Sequence, residues 1–488
     1  MIALLLVFIA WVVLFVTYTI KKPPNYPPGP AWLPIVGCNF YVKKVAKSLR
    51  ASQHIVLEEL CRRWNTNVLG LKMGEQLVVS VSSYPIIKDV FDSEAFDARP
   101  DNFFGKLRQI GDLWTEQKKF IVRHLRNVGL GKSIMEEKIK EELHDVVHAI
   151  DSNSSNVNVG KLLQPAVINL IWSLIAGHRI NKDDPKFLKL INLIDKRGDA
   201  FDMGGGTLSN YPWLRFIVPG KVGYSLIKKM NGKIQKFMME AITEHHNTWT
   251  VGNDSDLMYS FITRMNQDKG QYTSFTDDQL LMVSLDLFVA GAHSTSGTLD
   301  SALLLMLLHP DVQQKVHDEL DRSFPDNHIY QYSDRHKLPY TQAVLSEVKR
   351  LCHVLPIAGS RRAIKTTQIG GYTIPKGTTV LINLYSVFMS KDIWGDPENF
   401  RPERFISDKG KLVLYDEFVP FSTGRRRCLG EPLARTFLFI FFAELLKKYT
   451  ILPVNKYKLP SLQPRVGIVS LPQPYSAQFI PRHNNNFE

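Results

Sequence analysis

The segment FSTGRRRCLG, residues 421–430, constrains the fold most, because it places one cysteine directly before a long apolar stretch. That stretch predicts a helix with Pro432 in its first turn. Backbone N–H groups at the start of a helix are unpaired and favour negative charge, so the thiolate of Cys428 is expected to be stabilised there. Gly424 and Gly430 would allow a tight turn and let a large, flat group lie against the backbone.

Two other roles are open to Cys428. A nucleophilic cysteine needs a positioned histidine base, and no histidine lies near Cys428 in the sequence. A buried, inert cysteine is the default role, but the flanking glycines and arginines argue against it. The remaining cysteines, Cys38, Cys61 and Cys352, lie far apart without C-x-x-C spacing. We therefore expect neither a disulfide scaffold nor a tetrahedral zinc site, and a reducing compartment fits best.

The first 20 residues contain no charged side chain. As a helix they would extend roughly 30 Å, the thickness of the hydrocarbon core of a bilayer, so they predict a transmembrane anchor. A cleaved signal peptide is the alternative, but residues 1–20 lack a basic start and a small-residue cleavage site. Because Lys21 and Lys22 follow directly, the positive-inside rule leaves the remaining chain in the cytoplasm.

Residues 21–30 predict a basic, proline-rich hinge, because prolines fix φ and prevent a helix in NYPPGP. Residues 70–83 and 370–383 are β-branched and punctuated by turn residues, which indicates short strands. Most of the chain after Pro100 shows helical periodicity. The chain is 44% hydrophobic, which provides ample material for a large core. We expect a mainly helical protein with a small β region.

A long, buried helix is predicted over residues 276–308. Thr276 and Gln279 form a capping-box pattern, apolar residues follow, and Pro310 ends the run. The middle of this helix, AGAHSTS at 290–296, is rich in glycine and hydroxyl groups, which loosen helical hydrogen bonds and allow a close approach. The approaching group is either a neighbouring helix or a ligand, and the pattern alone favours neither.

The formal net charge of +13 favours an anionic partner. Nucleic acid is the weakest candidate, because no arginine-rich helix, RNA-binding signature or zinc finger accompanies the charge. Membrane lipid and an acidic protein partner both suit a protein that is anchored beside a negatively charged cytoplasmic leaflet.

The cysteine segment resembles the haem-binding loop of the cytochrome P-450 (haem-thiolate monooxygenase) superfamily, microsomal type. The family pattern F-x-x-G-x-R-x-C-x-G is matched at Phe421, Gly424, Arg426, Cys428 and Gly430. The resemblance covers essentially the whole chain. It implies a mainly α (α+β) cytochrome P-450 fold with a long central helix, a small β region and an N-terminal anchor. It also implies a division into an anchor (1–20), a hinge (21–30) and a haem-thiolate catalytic domain (31–488).

Two further segments resemble the core of this family. Glu347 and Arg350 match its E-x-x-R pattern, in which an i,i+3 ion pair on one helix face holds the core behind the haem. FRPERF, residues 400–405, resembles the segment whose arginine completes that network. The resemblance therefore implies that Arg404 joins Glu347 and Arg350, although each pair alone would be an ordinary surface ion pair.

The implied cofactor is heme b, iron protoporphyrin IX. Cys428 would be the axial thiolate ligand of the iron. Trp114 and Lys118 resemble the W-x-x-x-R pair that contacts a haem propionate, and Arg361 falls where the family has a propionate-binding His or Arg. Together with Arg426, the two cations would neutralise propionates that could not stay charged and buried alone.

The chain departs from the family in three places. The oxygen-activating groove, commonly A-G-x-(D/E)-T-T, has His293 for the acid and Ser294 for the threonine. Both are expected to be catalytic, since a hydroxyl hydrogen-bonds oxygen and a histidine relays protons near neutral pH. Lys118 keeps the charge of the usual arginine without its bidentate geometry. The connection from Pro100 to Trp114 is shorter than in most animal relatives, which indicates either a more open pocket or an aberrant transcript.

The function implied by the resemblance is that of a monooxygenase anchored in the endoplasmic reticulum membrane, with a cytoplasmic catalytic domain. It would insert one oxygen atom from O2 into a lipophilic substrate by hydroxylation or epoxidation. Electrons would come from an NADPH-dependent flavoprotein reductase that docks on a basic surface. The residues of this surface would be Lys119, Arg123, Arg126, Arg425 and Arg427. An ordinary solvated surface explains these charges equally well.

Residues 98–104 and 121–132 are similar to insect enzymes related to methyl farnesoate epoxidase, which points to a terpenoid hormone, a similar lipid or a xenobiotic as substrate. Two alternatives stay open. The altered pair His293 and Ser294 also suits a haem-thiolate isomerase or lyase that rearranges a peroxide without a reductase. The other alternative is a haem-binding protein without turnover that carries lipid or binds a partner.

Overall fold

The computed structural model describes residues 2–100, 114–127, 133–199, 206–268, 273–465, 467 and 469–482. Helices dominate this part of the chain, which confirms the mainly α prediction. In chain order they are α1 (Ile2–Ile20), α2 (Asn39–Leu49), α3 (Gln53–Arg63), α4 (Tyr84–Asp92), α5 (Trp114–Asn127), α6 (Ser133–Ser152), α7 (Val159–Ile175), α8 (Pro185–Asp199), α9 (Gly206–Asn210), α10 (Leu214–Ile217), α11 (Tyr224–Thr248), α12 (Leu257–Gln267), α13 (Asp277–Leu308), α14 (Pro310–Ser323), α15 (Pro339–Cys352), α16 (Leu384–Phe388), α17 (Lys391–Trp394) and α18 (Glu431–Lys448).

The strands are short and belong to three small sheets. They are β1 (Val68–Met73), β2 (Gln76–Val81), β3 (Val157–Asn158), β4 (Ile357–Arg362), β5 (Thr367–Ile369), β6 (Tyr372–Ile374), β7 (Thr379–Asn383), β8 (Tyr449–Pro453) and β9 (Ser476–Pro481). The sheet orders are β1-β2-β7-β4, β3-β9-β8 and β5-β6. Short 3-10 turns cover Glu94–Phe96, Tyr332–Lys337, Pro402–Phe405 and Gly424–Arg426.

Helix α13 is the long central helix that the sequence predicts. Thr276 precedes it with extended backbone, and its hydroxyl oxygen accepts a hydrogen bond from the N–H of Gln279 at 3.3 Å. The helix ends at Leu308, just before Pro310 begins α14. It packs against α7, α11, α15 and α18, and most of its length is buried. A helix with apolar residues on nearly all sides requires such an interior position.

The sheets confirm the two predicted β segments with small differences. The first segment is a hairpin of β1 and β2 in which Val68 pairs with Val81. The second segment divides into β6 and β7, because a turn at Gly377, with a φ of +88°, separates them. Strand β7 lies parallel to β2 and antiparallel to β4. The register of β4 shifts between Ala358 and Arg361, and such a bulge redirects the side chains that follow it.

Helix α1 contains no charged residue, and among the described residues it is the helix long and apolar enough to cross a bilayer. The hinge after it is non-helical and is fastened to the sheet. Lys72 of β1 donates to the carbonyl of Thr19 in the last turn of α1 at 2.7 Å, and Lys22 donates to the carbonyl of Gly29 at 2.9 Å. Both ammonium groups also lie over the ring of Trp32. These contacts connect the end of α1 and the segment after it to the rest of the structure.

Two apolar cores hold the described part of the chain together. The larger core lies among the long helices α6, α7, α13, α14, α15 and α18. The smaller core covers the four-stranded sheet and includes residues of α3, α4 and α16. The segment that contains Cys428 leads into α18 of the larger core and touches α4 of the smaller core at Phe91. The cysteine is therefore held between the two cores.

Candidate functional site

The segment that contains Cys428 folds back on itself just before α18, as the sequence predicts. The N–H of Cys428 donates to the carbonyl of Phe421 at 2.9 Å. Gly424 has a φ of +70°, and a Cβ there would lie 2.5 Å from the carbonyl oxygen of Phe91, so this position requires glycine. Gly430 differs, because its φ of −82° is ordinary. Its missing Cβ instead leaves open space on the wall of the cavity that Cys428 also lines.

The thiol of Cys428 lies next to the first N–H groups of α18. Burial raises its pKa, and the carboxylate of Glu431 acts in the same direction. Hydrogen bonds from the N–H groups of Gly430 and Glu431, together with the charge of Arg427, lower the pKa. The helix start therefore stabilises the thiolate as expected, but it does not offset the cost of burial. A metal cation bonded to the sulfur would supply the remaining stabilisation.

A cavity of about 390 Å³ lies between Cys428 and the middle of α13. Its walls are mostly apolar and come from α7, α13, β4, α16, α18 and the segment before α18. Gly291, Ser294 and Thr298 of α13 face Cys428, Phe421 and Leu429 across it. A cavity of this kind, apolar with a few polar groups, fits a flat organic cofactor and a lipophilic substrate.

Three arginines and a lysine form a group of cations beside this cavity, which we call the cationic cluster: Arg99, Lys118, Arg361 and Arg426. Burial lowers the pKa of Arg361 to about 9, and the charges of Arg99 and Arg426 contribute. Burial also lowers the pKa of Arg426 to about 10, with a further contribution from Arg99. The Asp97 carboxylate opposes both shifts without cancelling them. The cationic cluster therefore gathers positive charge beside the cavity, and Asp97 does not cancel the effect of that charge on the pKa of Arg361 and Arg426.

Arg361 has a further unsatisfied feature. Its side chain is only 3% exposed, and its Nε has no hydrogen-bond partner among the described residues. A buried donor without a partner is costly, so an anionic acceptor is expected there. Arg99, which the sequence analysis did not identify, braces this region by donating to the carbonyls of Gly359 at 2.5 Å and Ser360 at 2.8 Å. The sequence feature that pointed to Arg99 was its position in the segment 98–104, which resembles insect enzymes.

Lys118 projects from α5 towards the same region. Its Nζ donates to the carbonyl of Arg425, and burial followed by the charges of Arg426 and Arg361 lowers its pKa. The partner that the family pattern gives it, Trp114, begins α5, but the side chain of Trp114 lies outside the described part of the structure. The short connection over residues 101–113 also lies outside it, as do residues 128–132.

The expected network behind the site is present and buried. Arg350 donates from Nε and Nη2 to the two carboxylate oxygens of Glu347, each at 2.7 Å. Arg404 donates from Nε to Oε1 of Glu347 at 3.0 Å, which confirms that it joins the pair. Arg404 also donates to the carbonyl of Trp394, and Arg350 donates to the carbonyl of Phe388. The bidentate geometry and the additional carbonyl acceptors satisfy charges that would otherwise be unstable in the interior.

The small residues of the groove in α13 serve both predicted purposes, the close approach of a neighbouring helix and that of a ligand. A Cβ on Gly291 would lie 2.1 Å from Cδ1 of Ile171, so glycine lets α7 pack closely against α13. Gly291 and Ser294 also line the cavity. The hydroxyl of Ser294 donates to the carbonyl of Ala290 at 3.0 Å, and that of Thr298 donates to the carbonyl of Ser294 at 2.7 Å. The groove is therefore both a packing notch and a cavity wall with a hydroxyl group on it.

His293 lies on a different face of α13 and is not among the cavity-lining residues. Successive helical residues point about 100° apart, so the faces of His293 and Ser294 diverge. Nε2 of His293 lies 2.8 Å from Oδ1 of Asp195 and 3.3 Å from Nε2 of Gln164. Neither partner was identified in the sequence, since both lie on other helices.

The five residues of the proposed docking surface are exposed, but they are not equivalent. Arg425 forms an ion pair with Glu94, and Arg427 pairs with Glu431 at 2.6 Å. Lys119, Arg123 and Arg126 lie along α5. The unequal pairing leaves the α5 residues as the more available cations for an acidic partner.

These features fit a haem group. The thiol of Cys428 would provide a ligand for the iron, and the apolar cavity suits the porphyrin. The cationic cluster, in which Nε of Arg361 has no hydrogen-bond partner among the described residues, suits two carboxylates. No group of three or more His, Cys, Asp or Glu side chains among the described residues is arranged to hold a metal ion by itself.

The chain is similar to known proteins over nearly its whole length. The family model for cytochrome P450 matches residues 27–479. The chain is 36% identical to probable cytochrome P450 305a1 of Drosophila melanogaster, over 98% of both chains. It is 35% identical to cytochrome P450 2J5 of Mus musculus, over 95% of this chain and 92% of that protein. It is 30% identical to farnesoate epoxidase of Bombyx mori, over 94% of each. With its cysteine segment, cavity and cationic cluster in place, the chain belongs to the cytochrome P450 family of haem-thiolate monooxygenases.

Proposed function

We propose that this chain is a membrane-anchored monooxygenase that uses heme b and an NADPH-dependent flavoprotein reductase. Its reaction consumes a lipophilic substrate, O2, NADPH and a proton, and yields a hydroxylated or epoxidised product, water and NADP+. We assign residues 1–20 to the anchor, 21–30 to the hinge and 31–488 to the catalytic domain. The domain would face the cytoplasm at the endoplasmic reticulum membrane.

The observation that carries this proposal is the meeting of Cys428 and the cationic cluster at one apolar cavity. Cys428 would hold the iron, which then supplies the activation of O2. Arg361, Arg426, Lys118 and Arg99 would bind the two propionates. They are neighbouring cations beside the cavity, and Nε of Arg361 has no hydrogen-bond partner among the described residues. Phe421, Gly424 and Gly430 would shape the surface against which the porphyrin lies.

Ser294 is the polar group of α13 that we assign to oxygen activation. Its hydroxyl lines the cavity and donates a hydrogen bond to the carbonyl of Ala290, which holds the hydroxyl in place. The lone pairs of its oxygen stay available to accept a second hydrogen bond. The apolar walls from α7 would keep bulk water out and bind the substrate through its hydrocarbon surface. A lipophilic compound dissolved in the bilayer reaches such a site without crossing bulk water.

The substrate class remains broad in this proposal. The similarity to farnesoate epoxidase favours a terpenoid acid or ester, whereas the similarity to cytochrome P450 2J5 is slightly higher and extends over a comparable share of the chain. A lipophilic molecule with an oxidisable C–H or C=C bond satisfies both similarities and the apolar cavity. We therefore propose a terpenoid or a comparable lipid as the first substrates to test.

The reductase is expected to dock on the exposed basic residues of α5, Lys119, Arg123 and Arg126, together with Arg425 and Arg427. Charge complementarity mainly accelerates encounter. Reversing one charge, as in Arg123→Glu, should therefore slow reduction several-fold at low salt and change it little at high salt.

The test is reconstitution of the full chain with haem, reductase and lipid vesicles. We expect substrate-dependent oxygen consumption, an oxygenated product, and the red-shifted Soret band of thiolate ligation in the reduced, carbon monoxide-bound protein. Cys428→Ser should lose both the band and the product. If NADPH oxidation gives only peroxide with every lipid tested, the monooxygenase proposal fails. Turnover of a lipid hydroperoxide without reductase would identify an isomerase, and haem binding without either reaction would identify a carrier.

A further inference from the structure

His293 and Asp195 form a hydrogen-bonded pair that bridges two helices. Nε2 of His293 on α13 lies 2.8 Å from Oδ1 of Asp195 on α8, and the same oxygen accepts a hydrogen bond from Nε2 of Gln164 on α7 at 2.7 Å. The exposed fraction of the side chain is 37% for Asp195 and 11% for His293. The pair therefore leads from the solvent to α13, where Ser294 follows His293 in the chain.

The surroundings favour an ionised carboxylate at Asp195. Burial raises its pKa, but hydrogen bonds from His293 and Gln164 outweigh burial and leave the pKa below its usual value, with a further contribution from the charge of Arg465. An ionised carboxylate only accepts hydrogen bonds, so the proton between Asp195 and His293 belongs on Nε2 of His293.

We propose that Asp195 is a positioning residue that supplies, from α8, the carboxylate that the central helix lacks at position 293. The inference rests on the proposed monooxygenase function. Asp195 holds one proton on Nε2 and fixes the orientation of the ring, which leaves Nδ1 to take a proton from water and release it again. Oxygen reduction consumes protons in every turnover. His293 directly precedes Ser294 in the chain, so a proton held at His293 lies one residue away from the hydroxyl that lines the cavity.

A purely structural role is the competing explanation, because the pair also joins α8 to α13. The two roles differ in what Asp195→Asn changes. The amide keeps the size of the side chain and an acceptor oxygen, but it loses the charge that orders the histidine. A structural brace would alter stability and substrate binding, whereas a positioning residue alters how efficiently electrons are used for product.

The experiment compares wild type with Asp195→Asn in the reconstituted holoenzyme and measures product formed per NADPH oxidised. We expect this ratio to fall about tenfold in the variant, as for other residues that orient a functional group. The KM for substrate and the carbon monoxide-bound spectrum should not change. Asp183→Asn, which alters an exposed carboxylate just before α8, is the matched control and should keep the wild-type ratio. A wild-type ratio in Asp195→Asn would refute the proposal, and so would a lower ratio accompanied by an equal rise in KM.

A second measurement does not depend on turnover. Nitrogen NMR of histidine-labelled holoenzyme, assigned with His293→Gln, should show the His293 proton on Nε2 in wild type and a mixture of tautomers in Asp195→Asn. Equal tautomer populations in the two proteins would overturn the assignment. If wild type forms no oxygenated product while the tautomers differ as expected, the proposed function fails and the pairing of Asp195 with His293 stands.

Discussion

The Nε of Arg350 lies 2.7 Å from Oε2 of Glu347, and neither side chain exposes any surface to solvent. The pair lies three residues apart on α15, and Arg404 adds a third charge from a distant part of the chain. Buried ions of this kind stay charged only while each keeps its partners. The candidate site therefore depends on a buried ion network in which substitutions are poorly tolerated.

Replacing Glu347 with glutamine should destabilise the protein strongly. The amide cannot neutralise Arg350 and Arg404, and breaking a buried pair typically costs about 3–5 kcal/mol. Denaturant unfolding of the purified chain measures the loss as a lower transition midpoint. Glu398→Gln, at an exposed position, is the control and should stay within about 0.5 kcal/mol of wild type. Similar midpoints for the two variants would contradict the importance of the network.

Gly424→Ala should be more damaging than Gly410→Ala, although both glycines have a φ near +70°. At Gly410 no heavy atom lies within 4 Å of a Cβ. Alanine there meets no steric clash and loses only about 1–2 kcal/mol of stability, because its backbone disfavours a positive φ. At Gly424 the Cβ would also meet the carbonyl oxygen of Phe91 at 2.5 Å. We expect Gly424→Ala to bind haem poorly, as measured by the ratio of Soret to protein absorbance, while Gly410→Ala binds it normally. Equal haem content in both variants would count against this assignment.

Arg361→Leu should have opposite effects on the apoprotein and on haem binding. Burial holds the pKa of Arg361 near 9, below the usual value for arginine, so its charge opposes folding at neutral pH. Leucine removes that cost, and the free energy of unfolding of the apoprotein should rise by about 1 kcal/mol or more. Haem affinity should fall about tenfold or more, because a hydrogen bond to a charged group contributes about 1.5–3 kcal/mol. Lys365→Leu, at an exposed position, should change neither quantity. Unchanged haem affinity in Arg361→Leu would remove it from the propionate site.

Asp300 should make the protein less stable as the pH rises from about 4 to 7. Burial raises its pKa to about 7 from the ordinary 3.8, so the folded state binds a proton that the unfolded state has released in this range. By proton linkage the free energy of unfolding then falls with rising pH and levels off above the folded pKa. Asp300→Asn should reduce the change in the free energy of unfolding between about pH 4 and pH 7 by up to about 4 kcal/mol. Urea unfolding at several pH values tests the effect, and parallel curves for the two proteins would contradict it.

Much of the fold could be predicted from features that lie within a few residues of one another. The apolar run of α1, the cap at Thr276, the turn before α18 and the i,i+3 pair of Glu347 and Arg350 depend on spacing along one element. The same holds for Cys428, whose glycines, arginines and following helix are contiguous. Local geometry determines these features, so the chain order is sufficient to identify them.

The contacts between distant segments could not be predicted in this way, because no local pattern encodes which helix faces meet. The sequence did not indicate that Arg99 would join Arg361 and Arg426, and it did not indicate the partner of His293. The bulge in β4 lies directly before Arg361, and a hydrogen bond between α13 and α8 joins His293 to Asp195.

The amino-acid sequence by itself determined the class of fold, and the family resemblance that it carries singled out Cys428 and three of the four residues of the cationic cluster. Only the tertiary structure decided how the charges combine. Arg99, Arg361 and Arg426 meet only in the folded chain, and a hydrogen bond between α13 and α8 gives His293 a carboxylate partner that lies 98 positions away in the chain. Burial and long-range pairing arise from the packing of the whole chain, which residue spacing does not specify.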